Sequence, residues 1–326
     1  MRPGKVSENV LKRSVLKQVK TKAKEIIYGA GLGENCAVFM FPENEQSLIS
    51  MHQNTTAGSE CASLAIHKAA NNLAAAAARP AAVELSLLLP ESFEEERLRY
   101  IMEKAEQTCQ ALGIQLAGGS TKVSRAVTVP VATAAGIGRR IFSRIPKARP
   151  GQDIVVTKWV GLEGTYILAK KKEQELLRRY PAGFIKEAQA FERWLSVIPE
   201  AATAVKSDVC RMHDASEGGI FGALWEFGRI SGVGLEIDLK KLPIRQETVE
   251  ICEFLQLNPY ELLSGGSLIM AADNGFDLVE KLAGEGIAAA VVGKATDNND
   301  RVVMNEDERR FLELHKSDEI YKIETD

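Results

Sequence analysis

The chain of 326 residues has little that would tie it to nucleic acid or to a membrane. Its formal net charge is −3, with 41 Lys and Arg against 44 Asp and Glu, so it lacks the basic excess of a nucleic-acid surface. Its longest apolar run, Leu73 to Ala78, is far too short to span a bilayer. We therefore expect neither a nucleic-acid partner nor a membrane partner.

Cysteine is also sparse. The five cysteines are scattered and odd in number, and none forms a C-x-x-C pair, which argues against a disulfide framework or a zinc site. We interpret Cys36 as a small buried residue, because no base that would activate a thiol accompanies it. The N-terminus lacks the apolar core of a signal peptide, so we expect a cytoplasmic protein.

The common phosphate-binding fingerprints are missing too. The sequence has neither a G-x-x-x-x-G-K-[ST] loop nor a G-x-G-x-x-G segment with its flanking strand and acidic residue. What it has instead is four glycine-rich segments, at Gly29–Gly33, Gly118-Gly119, Gly161–Gly164 and Gly218-Gly219. Any one of them is most simply a connecting turn, although Gly218-Gly219 precedes a predicted helix and its amides would suit an anion.

The length and the pattern of elements predict two domains, residues 1–148 and 149–326, divided by the proline-containing segment Arg144–Gly151. In the first domain we predict an alanine-rich helix over Ala62–Ala78, a buried strand over Val83–Leu89 and a turn over Ala117–Thr121. Strands and helices alternate without the tight βαβ rhythm of a doubly wound sheet. An α+β fold, with helices on one face of each sheet, fits best.

Several segments resemble motifs of one family, and they occur in the same order along nearly the whole chain. They are Gly33-Glu-Asn-Cys-Ala-Val38, Ala65-Ile-His-Lys-Ala-Ala-Asn-Asn-Leu-Ala-Ala-Ala75, Arg79-Pro80, Gly118-Gly-Ser-Thr121, Gly151-Gln-Asp-Ile-Val-Val-Thr157, Met212-His-Asp-Ala-Ser-Glu-Gly-Gly219 and Leu263-Ser-Gly-Gly-Ser-Leu-Ile269. Together they resemble the aminoimidazole ribonucleotide (AIR) synthase superfamily. The later motifs are similar to the branch near the hydrogenase-maturation carbamoyl dehydratase.

This resemblance implies a two-domain AIR synthase-like α+β fold. It also implies a homodimer in which the N-terminal sheets of two subunits join into a barrel, with ATP in a cleft beside it. Family members use ATP to phosphorylate or activate an oxygen or a related atom. The resemblance therefore implies ATP as cofactor and a small-molecule ligand.

The sequence departs from the family where acidic residues are expected. Family members hold Mg²⁺ and the ATP phosphates with aspartates on the N-terminal motifs. In this chain the aligned positions are Asn35, Asn54 and Asn72, Ser120 replaces the usual Asp or His, and Glu34 is the acid left nearby. Neutral amide and hydroxyl oxygens lack the charge on which Mg²⁺ sites rely. We therefore expect a degenerate site in which Mg²⁺ binding is weakened or absent.

Aligned positions supply the candidate site residues. His213 and Asp214 are the catalytic candidates, since histidine serves as acid or base and aspartate remains as a carboxylate. The candidates for cofactor binding are Gly33, Glu34, Asn35, Asn54, Asn71, Asn72, Gly118, Gly119, Ser120, Thr121, Gly218 and Gly219. Of these, Glu34, Asn35, Asn54 and Asn72 are the positions where the family would hold its metal.

Three functions stay open at this point. The chain is an ATP-dependent enzyme with an altered site, a non-catalytic nucleotide- or metabolite-binding homolog, or a dimeric scaffold with a partner in a maturation complex. The related carbamoyl dehydratase works through a cysteine on its C-terminal tail, and no cysteine follows Cys252 in this sequence. We therefore expect a different reaction if the chain is catalytic.

Overall fold

The structure is a computed structural model that describes residues 4–31, 36–56, 58–140, 146–207, 209–313 and 317–323, without the side chain of Lys5. Two compact units divide the chain. One comprises residues 1–74 and 78–143, and the other comprises residues 75–77 and 144–326. We call them the N-terminal unit and the C-terminal unit and describe each by itself.

The N-terminal unit has a helical segment near its start. It runs as α1 (Glu8–Val10), a π-helical stretch over Leu11–Val15 and a 3₁₀ turn over Leu16–Gln18. The remaining elements of this unit are β1 (Gly4–Lys5), β2 (Ile26–Tyr28), β3 (Val38–Phe39), β4 (Gln46–Asn54), a 3₁₀ turn (Gly58–Glu60), α2 (Cys61–Ala75), β5 (Arg79–Pro90), α3 (Glu95–Leu112), β6 (Gln115–Ser124) and β7 (Val131–Arg140).

A five-stranded sheet in the order β1-β6-β5-β7-β4 forms the centre of this unit, with β2 and β3 pairing separately. β5 pairs parallel to β6 and antiparallel to β7. Its residues alternate between the two faces: Val83, Leu85 and Leu87 lie in the core beneath α2 and α3, whereas Glu84 and Ser86 lie on the other face. We call the second face the open face.

The ends of the two long helices follow from local chemistry. α2 stops at Ala75, three residues before the predicted end, because Ala77 has a positive φ of 56° and the Ala78 amide donates back to Leu73 O. α3 begins at Glu95 with Glu94 as its N-cap. Its C-cap is Gly113, which has a left-handed φ of 67°.

The segment Ala117–Thr121 is a strand, and the prediction of a turn there is wrong. It lies inside β6, where pairing with β5 jumps from Val83–Leu116 to Glu84–Gly118 and leaves Ala117 as an inserted residue. Gly119 has a φ of 143°, and a Cβ atom placed on it would be 1.9 Å from Leu85 O. The glycines therefore serve a close approach of two strands, which a sequence pattern cannot distinguish from a turn.

The C-terminal unit has a seven-stranded mixed sheet in the order β14-β13-β10-β12-β8-β11-β9. Its strands are β8 (Asp153–Thr157), β9 (Arg211–Asp214), β10 (Gly234–Asp238), β11 (Leu268–Ala272), β12 (Ala289–Thr296), β13 (Arg301–Asn305) and β14 (Glu308–Phe311). Its helices are α4 (Leu162–Lys171), α5 (Glu173–Leu176), α6 (Ala182–Gln189), α7 (Ile198–Val205), α8 (Gly219–Ser231), α9 (Gln246–Leu255) and α10 (Gly275–Gly284), with 3₁₀ turns at Ala190–Trp194, Leu239–Lys241 and Glu319–Lys322.

Both faces of the middle of this sheet are covered. All five residues of β11 are buried, and α8 packs on the face that carries Ile154 and Val156 while α10 contacts β8. The expectation of helices on one face holds for the N-terminal unit and is wrong for this one. The mixed α+β architecture itself is confirmed. Across the ranges described above, we find no helix of the length and hydropathy that a membrane span requires.

The close approach at Gly119 yields a stability prediction. Gly119→Ala should lower the free energy of unfolding by at least about 2 kcal/mol, because the φ is nearly restricted to glycine and the new methyl group would clash with Leu85 O. The matched control is Gly183→Ala in α6, where a Cβ meets no atom within 4 Å and stability should stay level or rise by up to about 1 kcal/mol. Urea denaturation followed by circular dichroism measures both, and equal stabilities would contradict the assignment.

Candidate functional site

The described asparagines among the candidates for cofactor and metal binding are partly or fully buried in the N-terminal unit. Asn54, at the end of β4, and Asn71, on α2, are 6% and 1% exposed, whereas Asn72 is half-buried. Gly33, Glu34 and Asn35 lie outside the described residues. Within the residues that the structure does describe, no three His, Cys, Asp or Glu side chains come together as a metal-binding group.

Two basic side chains lie on the same elements as these amides. His52 on β4 is half-buried, and Lys68 on α2 is buried. Burial lowers the pKa of His52 to about 4, and the positive charge of Lys68 adds to the shift, so the imidazole is neutral at physiological pH. A positive charge on α2, the helix that also carries Asn71 and Asn72, is unfavourable for a divalent cation bound nearby.

A cavity of about 440 Å³ lies in the N-terminal unit along β6. Among its lining residues are Gly118, Gly119, Ser120 and Thr121. Because these residues form a strand, successive amides point to opposite edges, so the segment does not make the concave loop that cradles a phosphate. Their role in cofactor binding therefore stays a prediction, and it is not supported by the loop geometry that phosphate binding would need.

The same cavity contains two features that sequence reasoning missed or misjudged. Cys36 lines it and is exposed, so the expectation of a buried residue is wrong. Glu84 also lines it from the open face of β5. A single acid in the otherwise apolar and small-residue run Ala81–Leu89 is the sequence signal that would have singled out Glu84.

The other four cysteines are buried and free. Burial raises the pKa of Cys61 and of Cys252 to about 12, and it also raises the pKa of Cys109. Thiols held in the protonated form are poor nucleophiles and poor metal ligands. Cys61, Cys109 and Cys252 therefore serve packing rather than chemistry.

The two catalytic candidates of the C-terminal unit do not act on one atom. His213 and Asp214 are neighbours on β9, so their side chains leave opposite faces of the sheet. The His213 Nε2 atom lies 3.0 Å from Glu226 Oε2 on α8, in a contact near the surface. Asp214 points inward and is 5% exposed.

Asp214 lies within electrostatic range of a buried ion pair. Lys158 Nζ is 2.5 Å from Glu200 Oε1 and donates to the carbonyl oxygens of Trp194 and Ser196 at 2.8 and 2.5 Å. Burial lowers the pKa of Lys158 and raises the pKa of Glu200, while the Asp214 charge raises both. Neither Lys158 nor Glu200 stands in a sequence motif, so nothing in the pattern would have paired them.

The Gly218-Gly219 turn satisfies its own amides. The Gly218 amide donates to Asp318 Oδ2 at 2.7 Å, and the Gly219 amide donates to Ser216 O at 3.0 Å. Asp318 is buried and also accepts from the Leu263 and Ile320 amides through Oδ1. A carboxylate of the chain itself thus occupies the anion position that we expected for a phosphate, which corrects the prediction for this turn.

Two family domains match the chain in sequence. The N-terminal domain of the AIR synthase related proteins matches residues 33–139, and the C-terminal domain of the same family matches residues 149–305. The chain belongs to the AIR synthase related protein family.

The curated relatives include hydrogenase expression/formation proteins and carbamoyl dehydratases. A putative hydrogenase expression/formation protein of Methanocaldococcus jannaschii is 26% identical over 277 residues, which cover 82% of this chain and 80% of the relative. The carbamoyl dehydratase HypE of Azotobacter vinelandii is 26% identical over 258 residues, covering 76% and 73%.

Solved structures agree on the fold. Hydrogenase maturation protein HypE in complex with ATP has a TM-score of 0.80 and 19% identity, covering 96% of this chain and 95% of that one. Thiamine-monophosphate kinase from Stenotrophomonas maltophilia K279a has a TM-score of 0.72 and 19% identity, covering 93% and 98%. These likenesses establish a two-domain AIR synthase-like fold, as the sequence motifs predict.

The shifted pKa of His52 predicts a pH dependence of stability. The pKa is about 4 in the folded chain and about 6.5 when unfolded, so the unfolded chain binds the proton first as the pH falls. The contribution of the neutral imidazole to the free energy of unfolding is complete above pH ~6.5 and is lost as the pH falls toward ~4. Allowing for its partial exposure, we expect a loss of about 1–3 kcal/mol across this window.

His52→Gln should flatten this dependence, because glutamine has no proton to take up. Thermal unfolding between pH 7 and pH 4.5 measures it, and His213→Gln, in the other unit, is the matched control. Parallel pH profiles for the wild type and His52→Gln would show that His52 is not the group responsible.

Proposed function

We propose that this protein binds ATP through its N-terminal unit and uses it to phosphorylate or activate an oxygen of a small molecule. The domain-length match to the AIR synthase related family supports the proposal. Structures of the same fold contain HypE in complex with ATP and AaThiL complexed with AMPPCP and TMP. The ATP proposal rests mainly on one observation, that both domains of the chain are similar to domains of this family.

We further propose that the metal part of the site is degenerate. Amide oxygens at Asn54 and Asn72 stand where the resemblance expects carboxylates, and the Lys68 side chain is buried close to His52. The described residues therefore do not fit a Mg²⁺ ion held by the chain itself. A positive side chain offers an alternative means of balancing phosphate charge without a metal.

Calorimetric titration with ATP in Mg²⁺ and in EDTA tests this proposal. We expect binding in both, with affinities within about tenfold of each other, which is ~1.4 kcal/mol. A strict Mg²⁺ requirement would overturn the degenerate site and leave the ATP proposal intact. Failure of any adenine nucleotide to bind would overturn the ATP proposal and favour the scaffold function.

Variants that restore carboxylates at the aligned positions make the same titration a more specific test of the site. The triple variant with Asp at positions 35, 54 and 72 should gain Mg²⁺-dependent affinity, because each new charge adds a ligand that Mg²⁺ prefers. The control for added charge alone is Asn305→Asp, which lies on β13 in the C-terminal unit. An unchanged Mg²⁺ effect in the triple variant would show that these positions do not form the site.

We also propose that the protein is a homodimer, with the open face of the N-terminal sheet in the interface. Ile49 and Met51 on β4 are 71% and 68% exposed on that face. Large exposed apolar side chains grouped on a sheet indicate a surface that another protein covers. A second copy joining sheet to sheet agrees with the barrel that the family resemblance implies.

Sedimentation velocity tests the dimer. Ile49→Lys should move the wild-type dimer toward monomer, because it places a charge in a desolvated interface. Phe276→Lys, at a residue 73% exposed in the C-terminal unit, is the matched control and should leave the dimer intact. A monomeric wild type at tens of micromolar would refute this part of the proposal.

One observation supports the alternative function, a scaffold in a maturation complex. A structure of the same fold contains HypE bound to HypF, at 19% identity and a TM-score of 0.66. The cytoplasmic location stays a prediction from the sequence.

A further inference from the structure

Each of the three tryptophans has an arginine guanidinium group packed over its ring. The arginines over Trp159 and Trp194 are Arg245 and Arg193, and each of them also forms an ion pair with a glutamate of the chain. In these two places a carboxylate balances the positive charge. Trp225, in the C-terminal unit, is different.

Two guanidinium groups lie over the ring of Trp225. The Cζ atom of Arg229 is 5.2 Å from the ring centre, and the Cζ atom of Arg301 is 5.4 Å from it. Arg229 follows Trp225 by four residues on α8, so the two side chains share one side of the helix. Arg301 begins β13, and its side chain crosses α8 at Gly228, where an added Cβ atom would be 2.7 Å from Arg301 Nε. A glycine within the helix therefore makes room for the second guanidinium group.

Neither of these guanidinium groups has a carboxylate partner in the part of the chain that the structure describes. The Nε atom of Arg301 is buried without a hydrogen-bond acceptor there. The acids beside the cluster in sequence contact other basic groups: Glu226 lies 3.0 Å from His213 Nε2, and Asp300 pairs with Arg309 at 3.0 Å. Two positive charges at one ring thus lack the negative charge that the other tryptophans have nearby.

The end of α8 accounts for one of the two charges. The last turn of a helix favours a positive side chain, and Arg229 lies in the last turn of α8. A second guanidinium group at the same ring is then unfavourable, because like charges repel each other. A carboxylate that accepts hydrogen bonds from both groups removes this repulsion.

The cluster lies on a surface that protein partners favour. Arg229 is exposed, Ile230 is 42% exposed, and Trp225 is half-buried with part of its ring on the core beneath α8. Tryptophan and arginine are enriched among the residues that dominate protein–protein binding. A single free anion gains little at exposed arginines because water and salt compete, whereas a chain that carries several carboxylates adds their contributions.

We propose that the surface formed by Trp225, Arg229, Ile230 and Arg301 binds an acidic segment of a partner protein. Carboxylates of that segment accept hydrogen bonds from the two guanidinium groups, and its apolar atoms contact the indole ring and Ile230. The charge of the surface selects the partner, since a neutral or basic segment would leave both arginines unpaired. This inference goes beyond the ATP proposal and does not depend on it.

The three indole N–H signals of the full chain, labelled with ¹⁵N-tryptophan, provide the test. Trp225→Phe assigns the signal of Trp225, and the signals of Trp159 and Trp194 are internal controls. The probes are a capped hexaglutamate peptide, the capped hexaglutamine peptide of the same length, and inorganic phosphate, each titrated at about 50 mM NaCl, where surface charges are only partly screened. We expect hexaglutamate to shift the Trp225 signal with a dissociation constant below about 1 mM, at least about tenfold tighter than hexaglutamine and tighter than phosphate.

Variants of the two arginines identify the groups that bind the peptide. Arg229→Gln, at an exposed position, should weaken hexaglutamate at least about fivefold, because it removes one charge-assisted hydrogen-bond donor. Arg301→Lys keeps the charge but loses the planar fork, so it should weaken the peptide less than Arg229→Gln does. The matched control is Arg193→Gln, which removes an arginine from Trp194 and should leave hexaglutamate affinity unchanged. Circular dichroism verifies that each variant is folded.

Three results would overturn the proposal. One is that hexaglutamate leaves the Trp225 signal unmoved or binds no better than hexaglutamine. Another is that Arg229→Gln binds the peptide as tightly as the wild type does. The third is that inorganic phosphate binds more tightly than hexaglutamate, which would make the cluster a site for small anions. All three are independent of ATP, because the titrations contain no nucleotide.

Discussion

The pairing of β5 with β6 fixes what the N-terminal unit can present to a ligand. Ala117 is inserted into β6, and beyond it residues 118, 120 and 122 face the same side as residues 84, 86 and 88 of β5. Gly119 permits the close approach to the Leu85 carbonyl that this register needs. Without the inserted residue, side chains on β6 would change faces, and Ser120 would no longer share a face with its cross-strand neighbour Ser86 and with Thr133.

The described residues of this unit bear on the proposal of a degenerate metal site. The positions aligned with the family's metal-binding acids carry amides, and Lys68 is buried on α2, the helix that also carries Asn72. Neutral amides contribute less to Mg²⁺ binding than carboxylates do. We therefore expect that ATP binding depends little on Mg²⁺.

Much of the fold followed from the sequence, because ordered motifs and the periodicity of long elements report on local structure. The helix over Cys61–Ala75 and the strand over Arg79–Pro90 were anticipated within a few residues. The strand character of Ala117–Thr121 was not, because two glycines that allow strand approach look the same as two that allow a turn. Contacts distant in sequence, such as Lys158 with Glu200, leave no local pattern at all.

Contacts within the C-terminal unit limit which residues of the Met212–Gly219 motif are available to a ligand. A phosphate at the Gly218 amide would have to displace Asp318, which is buried and bonded to three backbone amides. Displacing it would leave a buried carboxylate without donors, at a cost of several kcal/mol. His213 and Asp214 lie on opposite faces of their strand, so this motif supplies neither an anion site nor a paired acid and base. The described contacts of this motif are therefore contacts within the chain, and we expect ligand recognition to rest mainly on the N-terminal unit.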